Sequence, residues 1–250
     1  MDMILCPEID YVFKILLLCT NLMNNQLILL IETATSICSV ALSENGNIIA
    51  VKEINERNIH ASHITLFIQE VMQQAGKKYS DLDAVAISKG PGSYTGLRIG
   101  VSTAKGLCYA LDIPLIGIDT VEAMASGISG QQEIPDNALL IPMIDARRME
   151  VYTGIFGKDM KAIEPVSAKI VDEGSFVEFN DRQLYLFGDG AEKFKELFSA
   201  YRNIHFIEFK NSAANMNVLA CSKFINNEKE NLAYFEPFYL KDFLFTQAKK

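Results

Sequence analysis

Two α/β halves of related design are predicted for this 250-residue chain, and three observations carry the prediction. Short apolar runs rich in β-branched residues recur between turn signals, the pattern of buried strands. Segments with apolar side chains three and four residues apart alternate with those runs, the pattern of helices packed on a sheet. A polar, turn-prone stretch from Gln131 to Asn137 then divides the chain, and the strand–helix theme repeats beyond it in weaker form.

In the first half, Leu27 to Ile31 reads as a buried strand ending in Glu32-Thr33-Ala34-Thr35-Ser36. Ile37 to Leu42 is a second strand, and the hairpin turn Glu44-Asn45-Gly46-Asn47 returns Ile48 to Ile54 antiparallel to it. His63 to Ala75 is helical, with Ile64, Phe67, Ile68, Val71 and Met72 on one side. Leu82 to Ser88 is a buried strand, followed by a Gly-rich turn and a helix reaching about Leu111. Pro114 to Ile118 is a strand and Thr120 opens a short helix. Three antiparallel strands, a helix, a strand, a helix and a strand make an RNase H-like unit.

The second half pairs Ala138–Ile144 with Glu150–Phe156 across Asp145-Ala146-Arg147-Arg148-Met149. Leu184 to Phe187 is a strand ending in Gly188-Asp189-Gly190, at the start of a helix expected over 191–198. Ile204 to Phe209 is expected as a strand, and Ala213 to Ile225 as a helix with Met216, Leu219, Ala220 and Phe224 inward. The tail Glu236-Pro237-Phe238-Tyr239-Leu240-Lys241 is too aromatic to be left in water and is expected to dock on the body. The expected division is 1–22 as an N-terminal extension, 23–130 as the first lobe and 131–250 as the second. Val12 to Cys19 is apolar, but Asp2, Glu8 and Asp10 precede it where a signal peptide carries basic residues, and no small-residue cleavage site follows. The run is too short to span a bilayer. An upstream start, with Met23 opening the functional protein, is the expectation.

The net charge of −8 argues against a protein that grips a nucleic-acid backbone by itself, since such proteins show a basic face. Five cysteines are scattered, odd in number and free of C-x-x-C spacing, the usage of a reducing compartment.

The chain is organised around Gly90-Pro91-Gly92-Ser93-Tyr94-Thr95-Gly96-Leu97-Arg98-Ile99-Gly100. Pro91 and Gly92 force a tight turn, and Ser93 or Thr95 can cap the helix. Gly96, Gly100 and Ala104 lie one turn apart on one face. Glycine inside a helix costs about 1 kcal/mol against alanine, so a close approach is expected there, by this chain's backbone or by a second protein. A strand, a Gly-rich turn and a helix N-terminus also describe a phosphate cradle. The P-loop version lacks its lysine, because Arg98 is not placed to serve as one, and the dinucleotide version has one residue too many between Gly92 and Gly96. A turn with a packing helix is the preferred reading.

These residues resemble the TsaB family, also called YeaZ. Ile31-Glu32-Thr33-Ala34-Thr35-Ser36, the block from Lys89 to Gly100, Asp145-Ala146-Arg147 with Glu150-Val151-Tyr152, and Glu236 to Leu240 carry the resemblance, which runs from about Leu27 to Leu240. It implies an actin-like, sugar-kinase-like (ASKHA) fold of two RNase H-like lobes. It implies a cytoplasmic subunit that acts with the catalytic paralogue TsaD and the ATPase TsaE. Together they form N6-threonylcarbamoyladenosine beside the anticodon of tRNAs reading codons that begin with A. The paralogue holds a metal with an H-x-x-x-H pair. Thr120 and Met124 stand in its place here, and a hydroxyl and a thioether are poor ligands for such ions. Glu32 stands where catalytic relatives carry Asp, and its longer side chain is expected to crowd a metal–phosphate group. The expectation is therefore a non-catalytic scaffold without a metal or a tightly bound cofactor. Gly188, Asp189 and Gly190 are the candidate nucleotide contacts, with ATP or ADP at the partner interface.

The implied interface with TsaD comprises Ile64, Phe67, Ile68, Val71, Tyr94, Gly96, Leu97, Gly100, Val101 and Ala104, with a homodimer through the same face when TsaD is absent. A bulky residue at Gly100 is then expected to abolish the complex and leave the fold soluble. tRNA is expected to be met only through the complex, and no membrane. The competing class is an autonomous ATP-dependent enzyme or glycoprotease-like peptidase of the same fold. His60 and His63, the lone His205, Ser36 with these histidines, and Asp145 with Glu150 are the residues that class would use. Each also reads as an ordinary position: surface or capping for His60 and His63, core or strand edge for His205, and hairpin rim for Asp145 and Glu150; no G-x-S-x-G elbow supports Ser36.

Overall fold

The computed structural model describes residues 26–56 and 60–241; the expected extension at 1–22 lies outside them. The first sheet contains β1 (Leu27–Glu32), β2 (Ile37–Glu44), β3 (Asn47–Asn55), β4 (Ala84–Gly90) and β5 (Leu115–Asp119) in the order β3-β2-β1-β4-β5. β1 is antiparallel to β2 and parallel to β4, which is parallel to β5. The second sheet contains β6 (Leu139–Asp145), β7 (Glu150–Gly157), β8 (Ala162–Ile170), β9 (Leu184–Phe187) and β10 (Ile204–Phe206) in the order β10-β9-β6-β7-β8. Its pairings repeat those of the first sheet, with β6 antiparallel to β7 and parallel to β9.

β1 reads as an unbroken apolar run because both of its faces are covered. Leu27, Leu29 and Ile31 pack under α1 (His60–Gln74) and α2 (Tyr94–Leu111). Ile28 and Leu30 pack on the other side against Ala213, Met216, Ala220 and Cys221. The β2–β3 turn puts Asn45 and Gly46 at φ 51° and 77°, the conformation the Asn-Gly pair foretells. Ser93 caps α2 by accepting from Gly96 N (3.2 Å), and Asp112 ends the helix in the left-handed region. α3 (Thr120–Ser129) is capped by Asp119, whose Oδ1 accepts from Val121 N and Glu122 N.

The lobes are joined by exchanged helices. Val121, Met124, Ala125 and Ile128 of α3 share a core with Leu140, Ile144, Phe156 and Phe187 of the second sheet. In return, the single turn Ala213–Met216 and α4 (Asn217–Ile225) pack on the first sheet although they follow the second in sequence. The tail at 236–241 meets the body through Phe238 N, which donates to Lys89 O (2.7 Å), and through Tyr239 against Tyr94, with Phe238 itself 42% exposed; the buried aromatic is Phe235, just before it.

Three local readings are corrected. β8 was not foreseen, because an edge strand with only alternate partial burial carries a short, mixed pattern. The helix expected over 191–198 is a 3₁₀ turn, Glu192–Phe194, followed by further turns that bring Phe194 and Phe198 into the core. β10 stops at Phe206, short of the expected Phe209. Among the described residues, no helix is long and apolar enough to cross a membrane.

Candidate functional site

The Gly-rich block sits where the β1–β2 loop, the start of α2 and the tail meet. A side chain at Gly92 would meet the Ala34 backbone, one at Gly96 the Thr33 carbonyl oxygen, and one at Gly100 Thr33 Oγ1 and, at 3.0 Å, Ile87 Cδ1. Ser93 N donates to Ala34 O (2.6 Å), tying the two loops. Gly90, at φ +115°, has the Phe238 carbonyl oxygen against it. The close approach foreseen at Gly96 and Gly100 is therefore made by this chain. Thr33 and Ala34 lie where side chains on Gly92, Gly96 and Gly100 would stand.

The same geometry corrects the predicted partner face. Ile64, Phe67, Ile68 and Val71 of α1, with Leu97, Val101 and Ala104 of α2, are buried, all but Leu97 in one cluster with β1 and β4. Gly96 and Gly100 are buried against the β1–β2 loop. Only Tyr94 of the ten is partly exposed, and it packs on Tyr239 with ring centroids 4.9 Å apart. The apolar stripe of each helix covers the sheet, so what remains outside is the opposite face. There Leu66 is 51% and Tyr109 83% exposed, and Gly106 has open space beside it.

At the C-terminal ends of β1 and β4, Glu32 is completely buried. Its Oε1 accepts from Ser88 Oγ (3.0 Å) and Ala34 N (2.5 Å), while Oε2 has no hydrogen-bond partner among the described residues. Burial pushes this carboxyl up to about 7, against the opposing pull of its hydrogen bonds. Burial also raises Asp119 to about 6. Glu32 thus turns back onto its own loop and the end of β4.

Thr120 and Met124 are both buried on α3. Met124 Cε lies 2.6 Å from where a Cβ on Gly188 would stand, and Gly188 has φ +101°. Gly190 N donates to Met143 O (3.0 Å), and Asp189 Oδ1 accepts from Asp145 N (3.1 Å). Burial, with Asp145 nearby, holds the Asp189 carboxyl above its usual range. The Gly188-Asp189-Gly190 turn is thereby seated between β6 and α3.

The residues of the competing class each have partners of their own. His60 Nε2 faces the Ile37 carbonyl (3.3 Å), Ser36 Oγ donates to Asn55 Oδ1 (2.9 Å), and His205 pairs with Gln183 (2.6 Å). His63 packs edge-on to Phe67. Lys193 binds Asp145 (2.6 Å) and Lys241 binds Glu150, so a lysine neutralises each member of that acid pair. Burial pushes the Cys38 thiol up to about 11 and Cys108 to about 12, which keeps both unreactive. Sequence reasoning missed Arg98 and Lys105 as tail anchors. Their cationic character on α2 was visible, but the tail carbonyls and the tyrosine they meet are more than 120 residues away.

Two duplicated α/β lobes joined through exchanged helices, with paired loops at the strand ends, define a protein of the actin-like, sugar-kinase-like class. Solved structures agree: YeaZ from Pseudomonas aeruginosa superposes with a TM-score of 0.71 at 21% identity, covering 86% of this chain and 100% of that one. The activator of the 2-hydroxyisocaproyl-CoA dehydratase from Clostridium difficile, solved with bound ADPNP, reaches 0.50 at 9% identity over 82% and 99% of the two chains. A family model described as TsaD, tRNA N6-adenosine threonylcarbamoyltransferase, matches residues 53–243. The chain belongs to this family, and its relatives place it with the TsaB/YeaZ proteins. It is 37% identical to the tRNA threonylcarbamoyladenosine biosynthesis protein TsaB of Escherichia coli, over 54% of this chain and 57% of that protein. With the protein of the same name from Bacillus subtilis it shares 29% identity over 68% and 74%. The match thus spans little more than half the length of the Escherichia coli relative.

Proposed function

We propose that this chain serves tRNA threonylcarbamoyladenosine biosynthesis as a non-catalytic cytoplasmic subunit that binds and supports TsaD, with TsaE as a further partner. The observation that carries this reading is Met124. The resemblance puts it where the paralogue's metal ligand would be, and it is buried and packs on Gly188. A thioether in that position offers no hard donor and fills the volume between α3 and the Gly188 turn. The close packing of Thr33 and Ala34 against Gly92 and Gly96 is in keeping with the reading of this block as a turn with a packing helix. TsaD docks on the outward face of α1 and α2 around Leu66, Gly106 and Tyr109, and the lone protein forms a homodimer through that face. No cofactor is held tightly, ATP or ADP belongs to the partner interface, and tRNA is met only in the complex.

Size-exclusion chromatography with light scattering, on the protein alone and mixed with TsaD with and without ATP, tests this. A shift from homodimer to mixed complex, lost in Tyr109→Glu and Gly106→Arg at unchanged thermal stability, is the expected result. Wild-type binding by both variants would remove this face, and ATP hydrolysis by the lone protein would overturn the non-catalytic assignment.

A further inference from the structure

The tail from Asn231 to Lys241 crosses the molecule in two parts of different character. In the first part, Phe235 is 8% exposed, packs beside Gly117 and belongs to the first core. Phe235 N and Ala233 N donate to Asn231 O and Oδ1, and Lys105 Nζ donates to the carbonyls of Ala233 (3.2 Å) and Phe235 (2.9 Å). A buried aromatic ring and a lysine with two carbonyl partners form a strong anchor.

Beyond Phe235 no residue of the tail is buried. Phe238 N donates to Lys89 O (2.7 Å), and the Phe238 carbonyl rests on Gly90. Tyr239 stacks on Tyr94 and accepts from Arg98 Nε through its hydroxyl (3.2 Å), while the Arg98 guanidinium lies 4.2 Å from the Tyr94 ring centre. Lys241 then reaches Glu150 on β7, in the other lobe. The Arg98–Tyr239 and Lys241–Glu150 contacts are exposed, and exposed ion pairs and cation–π contacts are individually weak and screened by salt. Glu236 and Pro237 separate the two parts, and Pro237 has no N–H to hold the chain between them.

The geometry points to a tail of two functional parts. Residues 231–235 are a permanent anchor on the first lobe. Residues 238–241 are a releasable strap that ties the lobes together and covers the Gly90–Gly92 loop and the first turn of α2. The strap pivots at Glu236–Pro237. Its release frees Arg98 and Tyr94 and removes the backbone that presses on Gly90, so the loop and the helix start loosen together with it. This inference stands independently of the assigned partner.

Hydrogen–deuterium exchange on the full-length protein tests it. Peptides over 238–241 are expected to exchange faster than those over 231–235. Tyr239→Ala and Glu150→Ala are each expected to speed exchange over 238–241 and over 89–96 by about fivefold, with β1 and 231–235 unchanged. A short bis-maleimide cross-link between Glu150→Cys and Lys241→Cys is expected to slow exchange over 89–96 relative to the same variant with each thiol capped singly. If the two tail parts exchange together in every variant, or if the formed cross-link leaves 89–96 unaltered, the strap does not exist as a separate element.

Discussion

The carbonyl oxygen of Thr33 occupies the position where a side chain on Gly96 would begin. The β1–β2 loop and the first turns of α2 are therefore in backbone contact, and the glycines are needed for that contact.

Glycines in this block should separate by what faces them. Gly96→Ala pushes a methyl into the Thr33 carbonyl and is expected to cost about 1–3 kcal/mol. Gly100→Leu is expected to destabilise the fold itself, correcting the expectation that such a variant would lose only its partner. Gly106→Ala, on the same helix with open space beside it, is expected to stabilise by about 0.5–1 kcal/mol. Urea midpoints of the three variants decide the matter, and a tolerant Gly96 would refute the loop contact.

Glu32 gives the stability a pH dependence of defined sign. Its carboxyl titrates near 7 in the folded chain, against 4.5 as the ordinary value, so the folded state binds the extra proton between those limits. Its contribution is fully present below about 4.5 and is lost as pH rises through about 7, by up to about 3 kcal/mol. Denaturant midpoints of Glu32→Gln should be flatter than wild type across this window. Parallel curves for the two proteins would show that Glu32 is not the group responsible.

Met124→Ala removes a buried side chain between α3, β6 and the Gly188 turn. A loss of about 2–4 kcal/mol is expected from the cavity. The thermal transition should stay single, since α3 belongs to the cores of both lobes. Two resolved calorimetric transitions would contradict that shared core.

Ser93→Ala should lower stability by about 1 kcal/mol through loss of the cap on Gly96 N, while Ser93→Gly should cost only a few tenths. Equal losses in the two variants would mean that the hydroxyl is not acting as the cap.

Much of this molecule was readable in one dimension, for reasons visible in particular residues. Leu27 to Ile31 had to be a doubly covered strand, Asn45-Gly46 had to turn, and the Ile64–Phe67–Ile68–Val71 stripe had to face a sheet. These features are local, because each is set by side-chain period or by backbone freedom within a few residues.

Which partner each surface meets was decided only by tertiary structure. The sequence shows that Gly96 and Gly100 demand a neighbour, but a missing side chain does not name it; Thr33 does so only once β1 and β4 pair. Amphipathicity marks one apolar side of α1 and α2 without saying whether this chain or another will cover it, and here β1 and β4 cover it. α4 returns to the first sheet, and Arg98 meets Tyr239, across long stretches of chain. Contacts at that separation are chosen by the global packing of apolar surface, and no local pattern encodes them.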